Sequence, residues 1–533
     1  MAAQPTLGTL LGKNLAERPE ALAFVDGDRC LTYAEFDRLC TGTAAWLQAQ
    51  GITPGDRVAV WLVNRIEWLA LLFALGRLGA TMMSVNTRFR AAELQHVLAR
   101  SAARLLVIQR HFRSIDFDAV LADVDGSGLS ALQRIAVLDG GTSLPPTMLG
   151  KPTVAFAPDS ADAPGAAQAP VDRSAPDALA ILFTTSGTTQ GPKLVMHVQG
   201  AIALHAQRVA QAFGFDAPGS ATLGGVPFCG TFGLVAALAS FAAGAPLIMM
   251  EAFDARRAAA LVREHRLTHV FGTDEMLRRL LDLDATAAAL PSVRLFGFVL
   301  NEDLAARACA RGWPVTGIYG SSEVQALFSL QSMDLPMPER ILGGGRPASA
   351  DVEVRVRDID SGQLLPPGAS GELEIRAPTS FIGYLDNPEA TAKVTRSDGF
   401  FRTGDVGRVR EDGSFVFETR TGDAIRLGGF LVSPVEIEEV IRQLPGVADA
   451  QVVAVEIAQQ TRAVAFVIRQ PDQDAVVSET AVVAWVKSRM AGYKVPAQVW
   501  FVEAYPVTHS ANGDKIQRAR LREMALSRLA EQH

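Results

Sequence analysis

The chain has 533 residues, of which 48% are hydrophobic, with a formal net charge of -7 and a mean hydropathy of +0.17. That length exceeds one ordinary core and suits two or more α/β domains. An acidic balance without any Lys/Arg run argues against a nucleic-acid partner.

The first twenty residues, MAAQPTLGTLLGKNLAERPE, lack the apolar segment of a signal peptide. Cys30, Cys40, Cys229 and Cys309 are scattered without CxxC spacing, which reads as reduced structural thiols of a cytoplasmic protein. Thr32 followed by Glu35 has the spacing of a capping box that opens a helix. RVAVWLV from Arg57 predicts a buried strand, IEWLALLFALGRLGA from Ile66 a helix ending at Gly79, and Thr81 to Val85 a second strand, together a βαβ unit. The stretch Ala157 to Pro176, rich in Pro, Ala and Asp, predicts a surface connection. ALAILFTT then predicts a strand that carries the following loop at its carboxyl end, where open α/β sheets bind ligands. Phe232 to Met250 approaches membrane-spanning length, but Gly244-Ala-Pro246 interrupts it. A buried helix and a buried strand are expected there, with no membrane span. GELEIRA and GSFVFETR predict a β-rich subdomain beyond Gly371. Ser433-Pro-Val-Glu436 predicts a helix start with Ser as cap, Pro in the first turn and Glu reaching back. Strands near Gln451 to Val455 and Ala463 to Ile468, then a helix near Ala481, complete a small C-terminal unit.

Thr184 to Val195 reads TTSGTTQGPKLV. Glycines and hydroxyl side chains let donors approach phosphate oxygens closely, and Lys193 adds a positive charge. This is not the Walker pattern, because Pro192 precedes the lysine and Leu194 follows it.

The loop resembles the phosphate-binding signature of the adenylate-forming superfamily of acyl-CoA synthetases, amino-acid-adenylating domains and luciferases. Further family motifs follow in order. Tyr319-Gly-Ser-Ser-Glu323 is similar to YGxTE, Phe401-Arg-Thr-Gly-Asp405 to YRTGD, Thr419 to Asp423 to GRxDD, and Pro506 to Lys515 to PxTxxGK. The resemblance implies an α/β fold: a large N-terminal domain of α/β lobes plus a β-rich subdomain, residues 1–421, and a small mobile α+β C-terminal domain, residues 422–533. It implies phosphate contacts from Thr184, Thr185, Ser186, Gly187, Thr188, Thr189 and Lys193. Tyr319 would stack on adenine beside a strand ending at Asn301, and Ser322 would meet the α-phosphate region. Glu323 would ligate Mg²⁺, Asp405 and Arg420 would hold ribose or phosphate, and Lys515 would bridge the carboxylate and the α-phosphate. Phe228, Gly230, Val299 and Gly320 would border the acyl group, Gly428, Gly429 and Phe430 would face CoA, and Gly422 would be the hinge.

Four positions depart from the family pattern: Gly230 at the usual gate, Phe298-Val-Leu-Asn301 at the adenine strand, Gly422 at the hinge acid and Asp514 before the lysine. Gly230 points to bulky aryl, alicyclic or medium-chain acids. The function implied is a carboxylic acid:CoA ligase using ATP, Mg²⁺ and coenzyme A, cytoplasmic, with a homodimer compatible with the sequence. The alternatives are an enzyme of one half-reaction, thioesterification of a supplied adenylate, and a non-catalytic nucleotide-binding protein.

Overall fold

Two nearly all-apolar helices, Ile66–Leu78 and Thr231–Ala243, organise the larger part of the chain. A helix apolar all round has no face to give to water, so it must be enclosed. In the computed structural model both are: one core contains their side chains with those of strands from two separate sheets, Val58, Val60 and Met82 on one side, Leu247, Phe271 and Leu295 on the other. The structure describes all residues except 1–3, 114, 139–143, 159–169, 186–191, 284–289, 299–301, 422–424, 428–429, 458–459, 471–476, 491, 511–512 and 532–533.

The chain divides into two units, residues 1–353 with 376–399, and residues 354–375 with 400–533. In the first unit one sheet runs, edge to edge, Gly383–Tyr384, Leu194–Val198, Leu179–Thr184, Thr81–Ser84, Arg57–Trp61, Leu105–Gln109, Arg134–Leu138, Lys151–Ala155 and Thr147–Met148. The βαβ unit is present, with Arg57–Trp61 parallel to Thr81–Ser84 and Gly79 closing the helix at φ 69. Glycine reaches that left-handed conformation without the strain other residues meet. The capping box is also present: Glu35 N donates to Thr32 Oγ1 at 3.2 Å and Thr32 N to Glu35 Oε2 at 2.8 Å. The second sheet of this unit runs through Leu22–Asp26, Leu247–Met249, Thr222–Gly224, His269–Gly272, Leu295–Phe298 and Val315–Ser321, all parallel, then turns back through Gln325–Leu330. No described helix is long and apolar enough to cross a membrane. The stretch from Phe232 to Met250 is the helix Thr231–Ala243 followed by the strand Leu247–Met249. Of the connection from Ala157 to Pro176, residues 159–169 lie outside the described residues, and Val171 is 69% exposed.

The second unit holds an antiparallel array of Gly371–Arg376, Phe401–Val409 and Phe415–Arg420. It also holds an α+β part: the helix Pro434–Arg442, the strands Val447–Ile457, Gln460–Arg469 and Gln498–Phe501, the helix Glu479–Lys487 and the helix Arg518–Ala530. One local expectation fails here. Ser433 precedes its helix without a side-chain cap. Its hydroxyl donates to Glu418 O at 3.4 Å, and Glu436 is held by Lys494 Nζ at 2.7 Å instead of reaching back. A charged partner brought in by the fold outcompetes the neutral backbone donor.

Candidate active site

The strands that flank the TTSGTTQGPKLV stretch pair as a hairpin. Leu179–Thr184 and Leu194–Val198 pair antiparallel with Thr184 opposite Leu194, and Leu179–Thr184 lies parallel to Thr81–Ser84. The loop's base is closed twice: Thr185 N donates to Lys193 O at 3.0 Å, and Lys193 N to Thr185 Oγ1 at 3.2 Å. Ser186, Gly187, Thr188 and Thr189 lie outside the described residues.

The YGSSE segment ends the strand Val315–Ser321 and begins the turn that leads into Gln325–Leu330. Gly320 is required by close approach: a Cβ there would lie 2.5 Å from Ala326 Cα and 2.7 Å from Gln325 O. Ser321 Oγ accepts from Glu323 N at 3.2 Å and Val324 N at 3.4 Å, a local turn bond that directs the chain toward Glu323. Gln325 and Leu327 have φ of 67 and 55, a conformation that persists only when surroundings enforce it. The enforcement is visible. Gln325 Nε2 donates to Ala201 O at 3.2 Å and Thr379 O at 2.9 Å. His197 Nε2–H donates to Ser322 O at 2.7 Å, and His205 Nε2–H to Ala326 O at 2.8 Å. Tyr319 is 6% exposed, its ring edge-on to Phe328.

Both histidines are fully buried, and loss of hydration holds their pKa values down to about 4, so each is a neutral donor. An unfolded histidine titrates near 6.5, so between pH 6.5 and about 4 the unfolded chain binds more protons. The stability contributed by neutral burial is therefore complete above pH 6.5 and lost as pH falls toward 4. We expect each histidine to cost at most about 1.4 kcal/mol per pH unit in that window. Urea unfolding of the parent and of His205→Gln, measured at pH 7 and pH 5, checks this: the variant must show the smaller loss.

Sequence reasoning missed Tyr384. It lies on Gly383–Tyr384, whose register places Tyr384 opposite Val195 on the edge of the phosphate-loop hairpin. Its hydroxyl donates to Glu323 Oε1 at 2.9 Å, Lys193 Nζ lies 4.8 Å from its ring centroid, and Phe381 N donates to Glu323 O at 2.7 Å. The structure thus brings Lys193 and Glu323 to one side chain. The segment Phe381 to Tyr384 carries no charge or turn pattern that would have marked it.

On the apolar side, Asn64 clamps the turn before Thr231–Ala243. Its Nδ2 donates to Val226 O at 2.8 Å, and its Oδ1 accepts from Phe228 N at 2.8 Å. Phe228 is 1% exposed, edge-on to Trp68. Gly230 is half-buried and extended, at φ -109 and ψ 154, which any residue can adopt. At the carboxyl ends of His269–Gly272 and Leu295–Phe298 is an apolar pocket lined by Phe253, Phe271, Met276, Leu280, Phe296 and Phe298. Val299 and Asn301 lie outside the described residues.

In the second unit Asp405 and Arg420 are opposite one another in register and form an ion pair at 2.8 Å, Asp405 being 1% exposed and Arg420 more than half exposed. Gly422, Gly428 and Gly429 lie outside the described residues. The backbone of Phe430 pairs with Leu427, and that of Lys515 with Thr508 in the hairpin Val507–Ser510 and Gly513–Ile516, while their side chains lie outside the description.

Among the described residues no three His, Cys, Asp or Glu are gathered into a metal cage. Magnesium does not need one: it keeps several waters and takes one or two carboxylates together with substrate phosphates. The partly buried Glu323 carboxylate, which accepts from the Tyr384 hydroxyl, fits that requirement.

The family model of the AMP-binding enzyme matches residues 11–385, and that of the AMP-binding enzyme C-terminal domain matches residues 436–512. The chain belongs to the AMP-binding enzyme family. Among curated proteins this AMP-binding enzyme is 30% identical to the 3-[(3aS,4S,7aS)-7a-methyl-1,5-dioxo-octahydro-1H-inden-4-yl]propanoyl:CoA ligase of Rhodococcus jostii (strain RHA1), over 98% of this chain and 99% of that one. It is also 30% identical to the feruloyl-CoA synthase of Amycolatopsis sp, over 92% of this chain and 94% of that one. Its fold matches the crystal structure of ATP-bound MatB from Rhodopseudomonas palustris with a TM-score of 0.81 and 27% identity, over 98% of this chain and 99% of that one.

Proposed function

We propose that this AMP-binding enzyme is an ATP-dependent, AMP-forming carboxylic acid:CoA ligase acting on bulky apolar acids of the aryl, alicyclic or medium-chain type. The observation that carries the reading is the convergence of the phosphate-loop lysine and the Glu323 turn on Tyr384. The ring-bearing acids in the relatives' names support the acid class.

In the first half-reaction an oxygen of the carboxylate attacks the α-phosphorus of ATP, and pyrophosphate leaves. In the second, the CoA thiol attacks the acyl carbon, the thioester forms and AMP leaves. Lys193 and the loop amides and hydroxyls would bind the phosphates, and Lys515 would offset negative charge as the acid attacks. Asp405, an acceptor through both oxygens, would hold the ribose hydroxyls, with Arg420 beside it. Mg²⁺, held by Glu323, would neutralise phosphate charge. Tyr319 would meet adenine near Asn301, and Ser322 the α-phosphate. Phe228, Gly230, Val299 and Gly320 would border the acyl group, Gly428, Gly429 and Phe430 would face CoA, and residues 422–533 would turn about Gly422 between the two reactions. A cytoplasmic location and a homodimer belong to the same proposal, read by fractionation and light scattering.

A panel of acids in pyrophosphate exchange, followed by CoA addition, tests the reading. Exchange with aryl or alicyclic acids and then thioester formation supports it. Thioester formed only from supplied acyl-AMP would replace it with the single half-reaction, for which Asp514 next to Lys515 is the sequence motive. No turnover of either kind would leave a nucleotide-binding protein.

Gly230→Trp is expected to exclude the larger acids of that panel, lowering their kcat/KM by about 10-fold or more while ATP affinity is retained. Its extended backbone accepts the substitution without strain. An unchanged acid profile would remove Gly230 from the pocket.

A further inference from the structure

Glu323 and Lys193 are oppositely charged, and each touches a different part of one tyrosine. The Tyr384 hydroxyl donates to Glu323 Oε1 at 2.9 Å, and the Lys193 ammonium lies 4.8 Å from the ring centroid. A lysine and a glutamate on flexible stems beside one loop would ordinarily seek each other, and a direct ion pair would occupy both groups before nucleotide arrives. No Lys193–Glu323 ion pair appears among the described residues. A ring face is a weaker partner for an ammonium than a carboxylate or a phosphate, so Lys193 can leave it.

We propose that Tyr384 is a positioning residue whose hydroxyl fixes the Glu323 carboxylate for a divalent cation while its ring holds Lys193 apart from that carboxylate. The inference rests on the ligase reading and names a residue which that reading does not include. The tyrosine is itself well fixed. Its strand pairs with the loop hairpin at Val195, its N–H donates to Thr391 Oγ1 at 2.9 Å, and it precedes the helix Pro388–Val394, capped by Asn387. Phe381 N, which donates to Glu323 O, and His197, which donates to Ser322 O, hold the backbone of the same turn. With the backbone held, the remaining freedom of Glu323 lies in its side chain, and Tyr384 restrains it.

The test is Mn²⁺ binding by the full chain in the presence of α,β-methylene-ATP, followed by electron paramagnetic resonance. Tyr384→Phe keeps the ring and loses the hydroxyl. It should weaken Mn²⁺ binding about 10-fold, the scale of one hydrogen bond to a charged group, and leave metal-free nucleotide affinity unchanged. Tyr384→Leu should also weaken metal-free nucleotide binding, in a salt-dependent manner, because Lys193 can then pair with Glu323. Parent-like Mn²⁺ binding by Tyr384→Phe overturns the proposal. Glu323→Gln separates the two levels. If it leaves Mn²⁺ binding intact, the metal reading of Glu323 fails. If it weakens binding while Tyr384→Phe does not, only the role of Tyr384 fails. Thermal unfolding accompanies each variant; parent-like metal-free nucleotide binding by a folded Tyr384→Leu overturns the part assigned to the ring, and should that variant not fold, Tyr384→Met takes its place.

Discussion

Lys515→Ala is expected to lower acyl-adenylate formation by about 10²- to 10³-fold, the usual scale for removing one group that stabilises developing charge. The expectation comes from the PxTxxGK resemblance around Pro506 to Lys515, with the lysine's backbone placed on a short hairpin opposite Thr508. The cation matters while two anions, the acid's carboxylate and the α-phosphate, are pushed together. It has no such task when a neutral thioester forms from an adenylate already made. Pyrophosphate exchange should therefore collapse, while CoA transfer from supplied acyl-AMP stays within about 10-fold of the parent. Equal loss of both half-reactions would remove the assigned role. Lys515→Arg sharpens the result, because a planar guanidinium does not replace a compact ammonium at a point contact and should restore little.

The second large effect concerns stability. Glu438 is 1% exposed within the second unit and faces two arginines: Arg518 Nη2 lies 3.0 Å from its Oε2, and Arg442 Nη2 lies 3.4 Å from the same oxygen. Its Oε1 also accepts from Val452 N at 2.8 Å. Glu438→Ala leaves two partly buried guanidinium groups and one buried amide short of an acceptor. Removing one partner of such a cluster costs about 3–5 kcal/mol. The chain's two units need not unfold together, so the signature is a separate, earlier transition in calorimetry and faster proteolysis after residue 400, with residues 4–353 still protected. Arg518 opens the last helix directly after the Lys515 hairpin, so adenylation should fall with the loss of its anchor. Glu438→Gln, which keeps the side-chain volume and an acceptor oxygen for Val452 N, should lose less stability than Glu438→Ala. A Glu438→Ala protein that melts like the parent would show that the cluster carries no net stability.

Several features followed from near neighbours in the chain. The Thr32–Glu35 capping box, the left-handed glycine closing the helix at Gly79, and the split of Phe232 to Met250 into helix and strand rest on residues within a turn or two of one another. Hydrophobic period, caps and glycine punctuation act over that range, so the sequence alone decides them. The motif order around the loop, the YGSSE turn and Asp405 was equally legible, because each motif is a contiguous string. Tertiary structure decided what surrounds those strings. His197 reaches Ser322 across 125 positions, Asn64 reaches Phe228 across 164, and Tyr384 reaches Glu323 across 61. In the sequence these are an ordinary histidine, asparagine and tyrosine. His197 and Tyr384 gain their roles because strand pairing brings Leu194–Val198 and Gly383–Tyr384 together beside the turn, where a buried carbonyl or carboxylate must be satisfied by whatever donor the sheet delivers. The same competition explains Ser433 and Glu436, whose local pattern predicted a cap. Lys494, 58 positions away, brings a full charge to Glu436, and a charged hydrogen bond outweighs a local neutral one.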